Sequence, residues 1–182
     1  MTLLVIGILL WIGAHLFKRL APDMRASMGD KGKGLVALAL VGSVVLMVLG
    51  YRSMEFIPVW DPAPFLKHIN NLVVLFALYL TSPGPSKGAI FYKMRHPMLI
   101  GFKLWAAAHL LVNGDLASIV LFGGLLAWAV IEVIVINRSE PNWTPNPKGT
   151  LAKDAMFLGV SVLLLLVIGY VHGLVGPSPF AG

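Results

Sequence analysis

The chain has 182 residues, of which 58% are hydrophobic and only 12% are charged. A soluble domain carries about twice that charged fraction, so lipid must surround much of the surface. The net charge of +6 comes from basic residues in the loops between apolar stretches, so membrane topology explains it better than nucleic-acid binding does. No cysteine is present, which excludes disulfides, thiolate ligands and thiol nucleophiles.

Six apolar stretches are each predicted to form a helix that crosses the bilayer, since each approaches the ~20 residues needed for ~30 Å of hydrocarbon. They cover residues 2–18, 35–51, 63–81, 97–113, 116–136 and 154–175. A glycine-rich loop precedes the second, Asp61-Pro62 is predicted to cap the third, and Pro97 to start the fourth. Residues 113–115 are predicted to form a tight turn that makes spans four and five a helical hairpin. We expect an all-α polytopic bundle forming a single transmembrane domain over residues 1–182.

The distribution of Lys and Arg predicts the orientation of this bundle. The loops after spans one, three and five hold eleven of them, whereas the loops on the other side hold two, Arg52 and Lys67. Because cytoplasmic loops are enriched in basic residues, both termini are predicted to lie outside. No Lys or Arg precedes the first apolar run, which favours a retained helix over a cleaved signal peptide.

Two of the five histidines share a local pattern that is compatible with haem ligation. In Trp11-x-x-x-His15 and Trp105-x-x-x-His109 an aromatic ring lies one helical turn before an imidazole, on the same face. Neutral imidazole is a common axial ligand of haem iron, and two histidines on facing helices can hold one haem. The alternative interpretation is that these residues only hydrogen-bond to backbone carbonyls near an interface. The remaining histidines are His68, His96 and His172.

The tripeptide Arg95-His96-Pro97 also has two interpretations. A proline that starts a helix leaves the preceding basic residues at the helix N-terminus, where an anion or headgroup could bind. For the tripeptide alone, the favoured interpretation is an ordinary positively charged cytoplasmic flank with a proline that starts the helix.

Glu132 is the acidic residue that lies well inside a predicted span. Ionisable groups in the bilayer are costly and often functional. We expect Glu132 either to pair with Lys103 or a histidine, or to reach the cytoplasmic interface.

Several longer motifs extend beyond these local patterns. They are Arg95-His96-Pro97-Met98, His109 to Asp115, Leu121-Phe-Gly-Gly124, His15 followed by a basic residue, and His172-x-x-x-Gly176-x-Ser178-Pro179. Through these motifs the chain resembles the NnrU family over nearly its whole length. The family comprises small bacterial membrane proteins associated with denitrification and nitric oxide metabolism. The resemblance implies a multi-pass protein of the bacterial inner membrane whose partners are the bilayer and proteins of those processes.

The resemblance also implies a cofactor and an activity. The family is related to the zeta-carotene isomerases, which bind haem b and isomerise a cis double bond by a redox-dependent route. By that likeness His15 and His109 would ligate haem b and His96 would be an accessory catalytic residue. The local pattern described above adds Trp11 and Trp105 as rings that would flank the haem.

Other interpretations of the chain remain open from the sequence. His109 could instead lie beside His68 and His172 at the outer side and form a site there. The protein could be a non-enzymatic membrane factor that assembles or senses components of denitrification. The Arg95-His96-Pro97 motif is also similar to one in membrane methyltransferases of the isoprenylcysteine type, which makes methyl transfer a third possibility.

Overall fold

The computed structural model describes residues 1–180, which form eight α-helices and no β-strand. The predicted all-α class is therefore confirmed. The helices are α1 Thr2–Leu20, α2 Pro22–Ser27, α3 Lys31–Arg52, α4 Leu66–Thr81, α5 Gly84–Lys87, α6 Pro97–Val112, α7 Leu116–Ser139 and α8 Leu151–Val175.

Six of these helices correspond to the six predicted spans. Four of them, α1, α3, α7 and α8, are long and apolar enough to cross a membrane. The other two, α4 and α6, are apolar but have 16 residues each. At ~1.5 Å per residue they are about 24 Å long, somewhat less than the hydrocarbon thickness. The prediction of a helical membrane bundle is confirmed, whereas the predicted orientation of the termini stays a prediction.

The structure changes several predicted helix boundaries. Pro97 begins α6 as predicted, but α3 begins at Lys31, inside the predicted glycine-rich loop. Asp61 does not cap a helix, because α4 starts only at Leu66. The last helix begins at Leu151 rather than 154, since the side chain of Thr150 accepts a hydrogen bond from Lys153 N and so caps it. The short helices α2 and α5 were not predicted.

The chain divides into two compact units. The first comprises residues 1–60 and 114–141, and the second comprises residues 61–113 and the chain from residue 142 onward. Residues 113–115 connect α6 to α7 without the predicted tight turn, because Asn113 and Asp115 both have extended backbone conformations. The boundary between the two units falls within this segment. The single transmembrane domain expected from the sequence stays a prediction.

In the first unit, α1 packs against α3 and α7. Small residues allow the backbones of α1 and α3 to come close, as is typical of helix packing in membranes. A Cβ atom added to Gly7 would lie 2.8 Å from the backbone nitrogen of Met47, and one added to Gly50 would meet the backbone of Leu4. At the end of α3, Tyr51 Oη lies 2.9 Å from Ser118 Oγ of α7. The unit therefore combines close backbone packing with a few buried polar contacts.

In the second unit, α4 packs against α6 and α8, and α5 packs against α4 and α8. Gly101 of α6 lies close to α4, since a Cβ at this position would be 2.6 Å from the carbonyl oxygen of Ala77. The segment after α5 is tied to the start of α8, because Gly149 N donates to Gly88 O at 2.8 Å. These contacts bring the segment that leads to α6 next to the first turn of α8.

Candidate functional site

The imidazole of His15 has a fixed orientation on α1. Its Nδ1 lies 2.9 Å from the backbone carbonyl oxygen of Trp11, one turn earlier. A carbonyl can only accept a hydrogen bond, so Nδ1 carries the proton. In the neutral ring the lone pair is therefore on Nε2, which is the atom available to a metal.

Aromatic rings surround His15 within the first unit. The centroid of its ring lies 4.2 Å from that of Trp11 and 4.5 Å from that of Trp128 on α7. The two indoles are 5.3 Å apart and nearly perpendicular, at 82°. Trp128 is only 4% exposed, so it forms a rigid wall beside the imidazole. The sequence predicted Trp11 beside His15 but did not predict Trp128.

An ion pair lies beyond these rings, one turn further along both helices. Arg19 Nη1 donates to Glu132 Oε1 at 3.0 Å, and Arg19 Nη2 donates to Glu140 Oε1 at 3.4 Å. The side chain of Glu132 is 6% exposed. The expected partners of Glu132 were Lys103 or a histidine, and the structure gives Arg19 instead, because packing of α1 on α7 brings their charged ends together.

His109 on α6 repeats the hydrogen bond of His15. Its Nδ1 lies 2.9 Å from the carbonyl oxygen of Trp105, and the centroids of the two rings are 4.9 Å apart. The same tautomer argument puts the lone pair on Nε2. The backbone carbonyl of His109 accepts a hydrogen bond from Asn113 Nδ2 at 2.8 Å, which closes the end of α6.

His172 lies near His109 in the second unit. The two side chains are close enough to interact electrostatically. His172 is exposed, and its Nδ1 lies 2.8 Å from the carbonyl oxygen of Pro177. The segment after α8 is also held to α4, because Asn71 Nδ2 donates to Pro179 O at 3.0 Å. His68 is exposed in the first turn of α4.

His96 occupies the N-cap position of α6, directly before Pro97, as its sequence position suggests. Its backbone carbonyl accepts the hydrogen bond of Ile100 N at 2.9 Å, whereas its side chain makes no capping hydrogen bond. The half-buried imidazole of His96 lies at the start of α6, and His109 lies near the other end of the same helix.

The buried carboxylate of Asp154, which the sequence analysis did not single out, holds the segment that precedes α6. Asp154 Oδ1 accepts the hydroxyl of Tyr79 at 2.5 Å, and Oδ2 accepts the backbone N–H of Ala89 at 2.6 Å. Asp154 thereby joins α8, α4 and the segment after α5. Its position in the first turn of the last apolar helix, four residues after Thr150, was the available signal.

Each predicted ligand thus lies beside its tryptophan, as the sequence predicted. The two ligands belong to different units, His15 to the first and His109 to the second. Within residues 1–180 no three His, Asp or Glu side chains come together in a way that could hold a metal ion. Of these histidines, His109 and His172 interact electrostatically within the second unit.

Comparison with known families identifies the group to which these features belong. The model of the family described as "NnrU protein" matches residues 3–179, so the resemblance drawn from the sequence is confirmed. Neither the comparison with curated proteins nor that with solved structures yields a match.

Proposed function

This chain belongs to the NnrU family, and we propose that it is a membrane haem b protein with His15 and His109 as the iron ligands. The proposal includes a place in the bacterial inner membrane and a link to denitrification or nitric oxide metabolism, both drawn from the resemblance. Its finer form is a redox-dependent cis–trans isomerase in which His96 is an accessory catalytic residue.

The observation that carries the proposal is the matched geometry of the two imidazoles. In both, Nδ1–H donates to the carbonyl of a tryptophan four residues earlier, at 2.9 Å. Metal-ligating histidines almost always donate their other ring N–H in this way, which fixes the tautomer and raises the basicity of the ligating nitrogen. The hydrogen bond gives Nε2 the orientation of a ligand. The alternative interpretation, in which each imidazole only bonds a backbone carbonyl, predicts the same contact, and the spectra of the histidine variants distinguish the two.

The surroundings of both histidines suit a large apolar cofactor. Trp11 and Trp128 lie against His15, and Trp105 lies against His109. When bound, haem would supply an iron that exchanges one electron, and a small ligand such as nitric oxide would bind to it by displacing one of the two imidazoles. The protein's own residues would hold the iron through Nε2 of His15 and His109, orient the imidazoles through Nδ1 and exclude water with the indole rings.

Optical and EPR spectra of detergent-purified protein, produced with ample haem supply, test the proposal. We expect the spectrum of a low-spin haem with two imidazole ligands. His15→Ala and His109→Ala should each remove the low-spin signal, and added imidazole should restore it. His68→Ala is the matched control and should leave the spectrum unchanged. A colourless wild-type protein would refute the proposal.

Two other outcomes would redirect it. A colourless protein that co-purifies with a denitrification component would favour an assembly or sensing factor. Binding of S-adenosylmethionine that is lost in His96→Ala would favour methyl transfer.

A further inference from the structure

We propose that Trp128 and Glu132, both on α7, are positioning residues that set the orientation of the His15 imidazole. The inference deepens the proposed function and rests on it, because the orientation of His15 affects chemistry only if this histidine ligates the cofactor. Neither residue is a candidate ligand, and neither is near His15 in the sequence.

Matching stripes on two helices bring these residues together. Trp11, His15 and Arg19 are spaced by four on α1, and Trp128 and Glu132 are spaced by four on α7. Residues four apart lie on the same face of a helix. Because α1 packs on α7, the aromatic members of the stripes meet at one level and the charged members meet one turn further along.

Trp128 restricts rotation of the imidazole. The His15 ring is tilted 43° to Trp11 and 56° to Trp128, with centroid distances of 4.2 and 4.5 Å. Its Nδ1 is tied to the Trp11 carbonyl, so rotation about the Cβ–Cγ bond would break that hydrogen bond and push the ring into an indole. Because Trp128 is 4% exposed and surrounded by packed side chains, its indole ring cannot move away from the imidazole.

Glu132 fixes the position of Trp128 through its ion pair with Arg19. The 3.0 Å ion pair joins α1 to α7 one turn beyond the rings, and the carboxylate is 6% exposed. Oε2 of Glu132 accepts no hydrogen bond from residues 1–180, so Arg19 is the partner that compensates its buried charge. The pair consequently fixes the rotation of α7 that places Trp128 against His15.

The expected consequence is electronic as well as structural. If His15 holds the haem, the plane of its ring would affect how its orbitals overlap with those of the iron, and the groups around the ring would tune both affinity and potential. Replacement of such partners typically costs about 10–100-fold in affinity. Loss of Trp128 should therefore change the EPR g values and reduction potential and weaken haem binding by about 10-fold or more.

The first experiment compares Trp128→Leu and Trp128→Phe with Leu125→Ala by EPR, redox titration and haem titration. Leu125 is the matched control, since it is buried on the same helix one turn earlier. We expect shifted g values, a shifted potential and weaker binding in Trp128→Leu, a smaller change in Trp128→Phe, and wild-type spectra in Leu125→Ala. Identical g values and affinity in Trp128→Leu and Leu125→Ala would overturn the inference while leaving the proposed haem protein intact.

The ion pair is tested by Glu132→Gln and by the exchange Arg19→Glu with Glu132→Arg. Glu132→Gln should shift the g values in the same direction as Trp128→Leu, and the exchange should restore them in part. A spectrum unaffected by Glu132→Gln would remove Glu132 from the inference.

A measurement on haem-free protein separates this inference from the proposed function. In ¹⁵N-histidine NMR, with His15 assigned through His15→Gln, we expect a single tautomer with Nδ1 protonated. Trp128→Leu should broaden or split that resonance, and Leu125→Ala should not. If wild-type protein binds no haem but shows this difference, the cofactor proposal fails and the positioning stands. An unchanged resonance in Trp128→Leu would overturn the positioning.

Discussion

The candidate ligand of the first unit and that of the second share one local motif in two different environments. His15 and His109 each follow a tryptophan by one turn and donate to its carbonyl at the same distance of 2.9 Å. His15 is enclosed by a second indole with an ion pair beyond it, whereas His109 has a second imidazole, His172, in its electrostatic environment. The tautomer of each imidazole is thus set by a hydrogen bond within its own helix. The rotational freedom and the electrostatic environment of each ring are set by the other helices that pack against it.

The two units also differ in what holds their helices together. In the first unit glycines allow α1 and α3 to approach closely, and one buried ion pair joins α1 to α7. In the second unit the carboxylate of Asp154 accepts hydrogen bonds from the hydroxyl of Tyr79 and the backbone N–H of Ala89. Gly101 also allows close packing in the second unit, so the units differ mainly in the polar contact that joins their helices. This contact is an ion pair in the first unit and a polar hub, the carboxylate of Asp154, in the second.

The largest effect on stability is expected at that hub. Asp154→Ala leaves a buried hydroxyl and a backbone N–H without their acceptor, so we expect a loss of about 3 kcal/mol in free energy of unfolding. Tyr79→Phe removes one of these hydrogen bonds and should cost about 1.5 kcal/mol. Thermal unfolding in detergent measures both. A smaller loss in Asp154→Ala than in Tyr79→Phe would contradict the assignment of Asp154 as the hub.

Glycine packing in the first unit is expected to give the next largest effect. Gly50→Ala places a methyl group against the backbone of Leu4. Because the helix backbones must shift to make room for it, the substitution should lower the free energy of unfolding by about 2 kcal/mol. Gly42 on the same helix has nothing within 4 Å of an added Cβ, so Gly42→Ala should stabilise α3 by about 0.5 kcal/mol. Unfolding in denaturant checks the pair, and equal effects at the two glycines would show that packing does not decide them.

The histidines of the second unit give a test of which imidazoles ligate the iron. If His15 and His109 are the ligands, His172→Ala should keep the low-spin spectrum while His15→Ala loses it. Absorption and EPR spectra of the two variants, prepared in parallel, decide between them. Retention of the low-spin signal in His15→Ala together with its loss in His172→Ala would assign both ligands to the second unit.

The smallest effect is expected at the exposed end of the ion pair in the first unit. The side chain of Glu140 is 62% exposed and lies 3.4 Å from Arg19, so Glu140→Gln should change stability by less than about 0.5 kcal/mol. Glu132→Gln on the same arginine should cost more, because its carboxylate is buried. Thermal unfolding of both variants compares them, and an equal cost would mean that burial does not strengthen the inner pair.

Much of the fold followed from hydrophobic patterning alone. The six apolar helices lie where the sequence predicted them, because a helix that faces lipid must be apolar along its whole length and the chain shows this directly. Pro97 fixed a helix start for the same local reason. Local polarity was less informative at helix ends, where Asp61 did not cap α4 and the glycine-rich segment from Lys31 proved helical.

The sequence by itself determined the membrane bundle, the family, and the pairing of each candidate ligand with its tryptophan, since contacts between residues four apart need only a helix. The tertiary structure decided that Trp128 faces His15, that Glu132 pairs with Arg19, and that Asp154 binds Tyr79. These partners are more than 70 residues apart and depend on which helices pack and at what rotation. A hydrophobic pattern that is apolar all around a helix does not specify that rotation.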